Sequence, residues 1–251
     1  MRKVDHPTQR ARAVLAQTRV ELALTLRRGE SVLLSLGIPV MLLVFFSFVD
    51  VLPTGTDDPV DFLAPGVLAL AVMSTAMVGL GIATGFERQY GVLKRLGSTP
   101  LGRPALLAAK TLAILAVEVV QVVVLAAVAL ALGWRPEGSV VAFLPAMLLA
   151  TIGFAGLGML MAGRLRGEAV LAAANGLYLV LLLLGGMVIP LAELPGPLRA
   201  ASRALPAAAL SDVLHAASNA GAGAVPGRAW VVLAVWAVAA PLLASATFRW
   251  E

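Results

Sequence analysis

The residues in this chain that could do chemistry are a few polar side chains embedded in long apolar runs. Glu118 and Gln121 stand three residues apart, so a helix would place them on one face. Asn175 and Tyr178 repeat that spacing in a later run. Placing a carboxylate inside a membrane costs free energy. Such a residue therefore has a functional role with protons or substrate, or it pairs with a polar group on a neighbouring helix. We predict that these four residues either line a transport pathway or hold helices together by hydrogen bonds.

A second candidate is a charged segment that interrupts the apolar sequence, GFERQYGVLKRLGSTPLGRPALLAAK at residues 85–110. Gly91 and Gly97, with Pro100 and Pro104, bracket a short stretch that can form a helix. Such a helix would present charged and large apolar side chains together: Glu87, Arg88, Lys94 and Arg95 beside Tyr90, Leu93 and Leu96. Large apolar side chains gain little from standing in water, so this segment is predicted to dock on a partner.

The composition places these residues in a membrane protein. Of the 251 residues, 60% are hydrophobic and 13% are charged, whereas soluble domains have roughly 25% charged residues. A chain of this length that spends most of its residues on membrane spans has no room for a nucleotide-hydrolysing domain. It has no cysteine and two histidines, and it lacks the G-x-x-x-x-G-K-[ST] phosphate-binding motif. We therefore expect no catalytic residue, metal or cofactor in this chain.

Six apolar runs are long enough to cross the hydrocarbon core of a bilayer. They are predicted as transmembrane helices at 31–51, 62–84, 105–132, 140–163, 169–189 and 229–248. Helices are expected because an open sheet would leave backbone groups unpaired in lipid. The predicted fold class is an all-α membrane protein with six transmembrane helices, formed by a single domain over residues 1–251.

The basic residues predict the orientation of these helices. Fifteen of the 19 Lys and Arg residues lie before span 1 or after spans 2, 4 and 6. Because cytoplasmic loops carry an excess of basic residues, both termini are predicted to be cytoplasmic. The loop after span 1 contains Asp57, Asp58 and Asp61 and is predicted to lie outside. We interpret the basic pI of about 10.4 as a topology signal, and we expect no nucleic-acid partner.

Residues 8–28 predict an amphipathic helix that lies in the membrane interface. The pattern has two sides: Arg10, Gln17, Glu21 and Arg28 on one, and Leu15, Leu22 and Leu26 on the other. A cleaved signal peptide is disfavoured because the basic region is long and no small-x-small cleavage site follows the apolar run. A plain basic tail beside the membrane is the alternative.

The charged segment resembles the corresponding segment of ABC-2 type transporter permeases, the membrane subunits of ATP-binding cassette exporters. The resemblance is carried by Glu87, Arg88, Gly91, Leu93, Leu96, Thr99, Pro100 and Leu101, with Arg103 and Lys110 at similar positions. Val92 and Lys94 depart from the usual Thr and acidic residue. The resemblance implies a coupling helix at 87–98 that docks on an ATPase subunit. The ATPase-coupling residues it implies are Glu87, Arg88, Tyr90, Gly91, Leu93, Arg95, Leu96 and Pro100.

A second stretch, residues 190–225, resembles the extracellular region that precedes the last span in this family. Four prolines forbid one continuous helix there: Pro190, Pro195, Pro197 and Pro206. Enough leucine and valine remains for the segment to re-enter the membrane edge. The family's usual Asn-Pro-aromatic step is absent, because Leu205-Pro206 runs into three alanines.

The resemblance implies a fold like that of ABC-2, or type V, exporter transmembrane domains, and a function as an exporter permease. It implies two partner ATPase subunits that bind ATP and Mg, and a second permease subunit, identical or homologous, in a bacterial cytoplasmic membrane. The compact length is similar to the daunorubicin and multidrug-resistance branch, which moves hydrophobic or amphipathic compounds outward.

Three alternatives stay open at this point. The chain could be an ion- or proton-coupled secondary transporter in which Glu118 titrates, or a permease for polysaccharide or lipid-linked glycan. A membrane enzyme is disfavoured because neither H-E-x-x-H nor G-x-S-x-G occurs.

Overall fold

A computed structural model describes residues 7–27, 29–49, 58–97, 102–138, 140–218 and 225–248. Within these ranges the chain forms helices, turns and short connections, and no strand, which confirms the all-α prediction. The α-helices are α1 Pro7–Arg27, α2 Gly29–Phe48, α3 Pro59–Met73, α4 Leu80–Gln89, α5 Val92–Gly97, α6 Arg103–Ala131, α7 Phe143–Ala162, α8 Gly167–Leu184, α9 Gly196–Ser202, α10 Pro206–Ser218 and α11 Gly227–Thr247. Two 3₁₀ turns, Val140–Ala142 and Leu191–Glu193, precede α7 and α9.

The described residues contain five helices that could cross a membrane, at five of the six predicted spans, and a shorter apolar helix at the remaining one. The five are long and apolar enough to span it alone: Pro59–Gln89, Arg103–Ala131, Phe143–Ala162, Gly167–Leu184 and Gly227–Thr247. The shorter apolar helix, Ser35–Phe48, lies in α2. The second span differs most from its predicted bounds, because helical structure continues past residue 84 to Gln89 and carries Glu87 on its last turns.

The second span is continuous but not uniformly α-helical. A π-helix, Ser74–Gly79, joins α3 to α4 midway along it. π-helical turns are rare and occur often at functional sites, because they change the direction in which side chains project. The wider turn makes Thr75 available for a side-chain contact with α6, described below. Nothing in the apolar periodicity predicted this turn.

Helix α1 packs its polar side on the bundle and leaves its leucines outside. Glu21 is 7% exposed and faces α6, whereas Leu15 and Leu26 are 55% and 57% exposed. Glu21, from the predicted polar side, is directed inward because it meets a buried charge on α6. The exposure of Arg10 and Arg28, on the same predicted side, lies outside what the structure describes. The exposed leucines suit contact with lipid, and the interfacial position of α1 stays a prediction.

Helices α7 and α11 pack closely against each other. A Cβ atom placed on Gly156 would lie 2.6 Å from the backbone nitrogen of Pro241. On another side of α7, a Cβ on Gly158 would lie 2.6 Å from the Met77 carbonyl oxygen in the π-helix. Small residues therefore let two backbones touch α7 directly, which is how membrane helices gain packing energy.

We expect Gly156→Ala to destabilise the protein by about 1 to 3 kcal/mol, because the added methyl group forces α7 and α11 apart. The matched control is Gly176→Ala in α8, where a Cβ would have no atom within 4 Å. Thermal unfolding in detergent, monitored by size-exclusion chromatography, should show a lower midpoint for Gly156→Ala than for the wild type. The midpoint of Gly176→Ala should not be lowered. Equal midpoints would contradict the close contact.

The segment after α8 is broken into short pieces, as its prolines predict. Arg199 in α9 donates to the Leu194 carbonyl oxygen at 3.0 Å, which holds α9 against the preceding turn. Helix α10 is mostly buried and packs on α3, α7 and α11. The Ser211 hydroxyl donates to the Gly186 carbonyl oxygen at 2.8 Å. Residues 219–224 of the predicted 190–225 segment lie outside the described residues.

Candidate functional site

A buried lysine joins three helices at the end of the bundle that carries α5. Lys110 in α6 is 1% exposed, and its Nζ donates to Glu21 Oε2 in α1 at 2.8 Å. The same Nζ donates to Glu87 Oε2 in α4 at 2.7 Å. We call these three residues the Lys110 cluster. A buried ammonium group is stable only when it is paired and hydrogen-bonded, so these contacts fix α1 and α4 against α6.

Further contacts hold α1 in place beside the Lys110 cluster. Gln17 Nε2 donates to Glu21 Oε1 at 2.8 Å, so both oxygens of that carboxylate accept hydrogen bonds. The Thr18 hydroxyl contacts the Ala109 carbonyl oxygen at 3.3 Å. These contacts orient the carboxylate towards Lys110. The sequence singled out Lys110 and Glu87 by resemblance and Glu21 by its polar face, but it did not bring the three together.

A second set of contacts joins the end of α4 to the start of α8. Gln89 Oε1 accepts from the backbone N–H of Gly167 at 2.9 Å, and its Nε2 donates to Glu168 at 3.1 Å. Arg88 donates to the Leu165 carbonyl oxygen at 2.9 Å. A Cβ on Gly167 would lie 2.3 Å from Gln89 Oε1, so glycine is needed for this approach. Displacement of α4 would therefore be transmitted to α8, the fifth span.

A tight turn connects α4 to the short helix α5. Gly91 has a φ of +72°, a left-handed conformation that glycine adopts without strain. The turn places Tyr90 at the surface with 73% of its area exposed, and Val92 with 44%. The predicted coupling helix at 87–98 is therefore two elements, since residues 87–89 belong to α4 and α5 covers Val92–Gly97.

The structure corrects the prediction that Leu93 lies on the docking surface with Tyr90. Leu93 is 0% exposed and belongs to the hydrophobic core, and Leu96 is partly buried against that core. Because α5 must be anchored, its leucines face the bundle while Lys94 and Arg95 lie on the exposed side. Pro100 lies outside the described residues.

A partly open cavity of about 580 Å³ extends from the Lys110 cluster to the middle of the second span. Its walls come from α1, α2, α3, the π-helix, α4, α6 and α8. Most of the lining is apolar, and its polar groups include Ser35, Ser74, Thr75, Asn175 and Tyr178. Cavities of this size with a few fixed polar groups are typical of sites for small organic ligands. Asn175 and Tyr178 line this cavity, and their role in a substrate pathway stays a prediction.

Gln121 lies behind the cavity wall and connects three spans. It accepts from the Thr75 hydroxyl at 3.0 Å, and its Nε2 donates to the Ser35 carbonyl oxygen at 2.9 Å. Glu118 faces a different helix, where it accepts from the Thr151 hydroxyl of α7 at 2.5 Å. It is not among the residues that line the cavity. The sequence left two roles open for Glu118, in a pathway or in helix packing, and the contact with Thr151 is of the packing kind.

The comparison with known families decides the identity of this bundle. The sequence model of the ABC-2 type transporter family matches residues 12–217, which include the Lys110 cluster, α5, the cavity and α10. The chain belongs to the ABC-2 type transporter family. No curated protein matches the chain significantly.

Membership in the ABC-2 type transporter family defines the general role of the chain. It is a multi-pass membrane protein and the membrane component of a transporter, in a family that normally works with an ABC ATPase. The family match covers the residues on which the sequence resemblance rested, so the family prediction is confirmed. Sequence reasoning missed two features of this ABC-2 type transporter. One is the set of contacts between Gln89 and the start of α8, and the other is the π-helix in the second span.

Proposed function

We propose that this chain is the permease subunit of an ATP-binding cassette exporter that moves a hydrophobic or amphipathic compound out of a bacterial cell. A separate ATPase subunit supplies the energy. The observation that carries this proposal is the position of Glu87, which belongs to the Lys110 cluster and lines the cavity. It lies five residues before Val92, where α5 begins after the turn at Gly91. A force applied to α5 would therefore act directly on the wall of the cavity.

The proposed mechanism uses two copies of this arrangement. Two permease subunits, identical or homologous, would face each other above two ATPases that bind ATP and Mg. Closure of the ATPases would push on α5 and displace the end of α4. The Lys110 cluster would transmit this displacement to α1 and α6, and Gln89 would transmit it to α8. The cavity would then change from inward to outward access.

The orientation follows from the charge distribution. The end of the bundle that carries α5 also carries Arg88, Lys94, Arg95 and Arg103. An excess of basic residues favours the cytoplasmic side, so both termini and α5 would face the cytoplasm of the inner membrane. Exposed Tyr90 and Val92 would then meet the ATPase.

The cavity supports a small hydrophobic or amphipathic substrate, as in the drug and antibiotic exporters of the daunorubicin branch. Its lining is mainly apolar, and the polar groups are hydroxyls, one amide and the Lys110 cluster at one end. A volume of about 580 Å³ suits a single small molecule better than a polymer chain.

We expect Tyr90→Asp to weaken binding of the cognate ATPase by about tenfold or more, because an exposed aromatic side chain at an interface is a frequent source of binding energy. The measurement is the dissociation constant between the ATPase and the permease in lipid nanodiscs. Tyr90→Phe should bind nearly as wild type does. Val141→Asp, which replaces an exposed apolar residue at the opposite end of the bundle, is the second control.

The ATPase experiment has two outcomes that would refute the proposal. If the wild-type permease holds no ATPase, the exporter assignment fails. If Tyr90→Asp and Val141→Asp bind the ATPase equally well, the docking surface is not at α5.

A further inference from the structure

A second pocket, separate from the cavity, opens at the end of the bundle that carries α5. It has a volume of about 690 Å³ and lies between the start of α6, the end of α7 and the end of α11. Its lining residues are Arg103, Arg164, Ala246, Thr247 and Phe248. Two guanidinium groups thus line a pocket in whose wall the described residues place no carboxylate. We call this the arginine pocket.

The arginines of this pocket are available for a ligand. Neither Arg103 nor Arg164 forms an ion pair or a side-chain hydrogen bond within the part of the chain that the structure describes. Arg103 also stands at the first position of α6, where Gly102 provides no side-chain cap for the helix. The uncapped backbone N–H groups and the helix dipole add positive potential to that of the two side chains. The arginine pocket therefore favours an anion.

The walls of the arginine pocket are held in place by backbone packing. Phe248 is 2% exposed, and a Cβ on Gly163 would lie 2.7 Å from its ring. This contact fixes the end of α11 against the end of α7. The same two helices touch at Gly156 and Pro241, so the pocket is formed before any ligand arrives. A preformed site loses little conformational entropy on binding.

The surface next to the arginine pocket is apolar. Leu242 and Leu243, in the last turns of α11, are 61% and 54% exposed, and Val238 one turn earlier is 60% exposed. In a membrane helix such a face contacts acyl chains. A ligand that fills the pocket and follows this face would need an anionic head and a hydrocarbon tail. A soluble anion would use the head site only.

We propose that the arginine pocket binds the phosphate group of an anionic phospholipid, with the acyl chains on the exposed face of α11. The site lies at the end of the bundle where the basic residues are concentrated, and basic pockets between helices on that side of a membrane recognise lipid head groups. The bound lipid would attach α6, α7 and α11 to the anionic leaflet. This site uses none of the residues of the Lys110 cluster or the cavity, so it does not depend on the ATPase.

The test compares binding of dioleoyl-phosphatidylglycerol and dioleoyl-phosphatidylcholine to the delipidated full chain by native mass spectrometry. We expect phosphatidylglycerol to bind more tightly, and the double variant Arg103→Gln/Arg164→Gln to bind it about 30-fold more weakly. The matched pair is Arg164→Gln and Arg166→Gln, because each removes one charge and Arg166 is an exposed residue two positions from Arg164 and outside the pocket. Size-exclusion chromatography and the thermal midpoint establish that each variant is folded.

Competition with glycerol 3-phosphate distinguishes a lipid from a free phosphate. We expect millimolar glycerol 3-phosphate to leave phosphatidylglycerol bound, because the soluble compound lacks the acyl chains. Displacement by the soluble compound at lipid-like concentrations would overturn the lipid assignment. An equal loss of binding in Arg166→Gln and in Arg164→Gln would overturn the site itself, since the attraction would then be general charge.

Discussion

Lys110→Met is expected to lower the free energy of unfolding by about 3 to 5 kcal/mol, because it leaves the buried Glu21 and the partly buried Glu87 without their cation. The methionine side chain has a similar length and fills the same space, so the effect isolates the charge. The loss should appear as a lower thermal midpoint and, in the presence of the ATPase, as ATP hydrolysis that no longer depends on the permease. This is the largest single-residue effect that we predict.

The triple variant Lys110→Met/Glu21→Gln/Glu87→Gln separates stability from coupling. It removes every charge of the Lys110 cluster, so most of the lost stability should return, since a neutral packed cluster has no unpaired charge. Coupling should not return, because the contacts that join α1, α4 and α6 are weaker. A triple variant as unstable as Lys110→Met would contradict the assignment of the loss to unpaired carboxylates.

Ser74→Trp is expected to abolish transport while leaving ATPase binding intact. Ser74 lies in the π-helix and lines the cavity of about 580 Å³, so an indole ring there would project into the cavity and obstruct passage along it. The measurement is ATP-dependent efflux of an amphiphile that the wild-type complex exports, chosen from a panel of fluorescent compounds. The ATPase dissociation constant should be unchanged, because Ser74 lies far along the span from α5.

Val123→Trp is the control for Ser74→Trp, since Val123 is 64% exposed on α6 and does not line the cavity. It should transport as wild type does. Efflux at the wild-type rate in Ser74→Trp would show that substrate passes elsewhere, and the cavity would then lose its proposed role.

Hydropathy was sufficient to predict most of this fold, because the bilayer fixes both the length and the backbone structure of each span. Five candidate spans and the shorter apolar helix in α2 were located from apolar runs, and the broken segment before α11 was located from its prolines. The predicted end of the second span was too early, because hydropathy ends a span at the first charged residues. The helix in fact continues through Glu87 to Gln89. The π-helix was not predicted, because apolar periodicity does not distinguish a π-helical turn from an α-helical one; its residues Thr75 and Met77 contact α6 and α7.

The candidate site was predicted in part because its residues carry unusual chemistry for their position. Asn175, Tyr178 and Gln121 were selected as polar residues in apolar runs, and all three lie at or behind the cavity. Spacing alone could not show that Glu118 and Gln121, three residues apart, contact different helices. Leu93 was misplaced because a short helix with charges and leucines has two sides, and only tertiary contacts show which one is buried.

The most direct test of the central claim is whether ATP on a separate ATPase changes access to the cavity. The chain has no cysteine, so Ser74→Cys introduces a single reactive position, and Glu137→Cys, exposed on the opposite side, reports sidedness. In proteoliposomes with the ATPase, the account predicts that a membrane-impermeant maleimide labels Ser74→Cys from the α5 side without nucleotide. ATP with vanadate should suppress that labelling and allow it from the other side. Labelling that is the same with and without ATP and the ATPase would contradict the account.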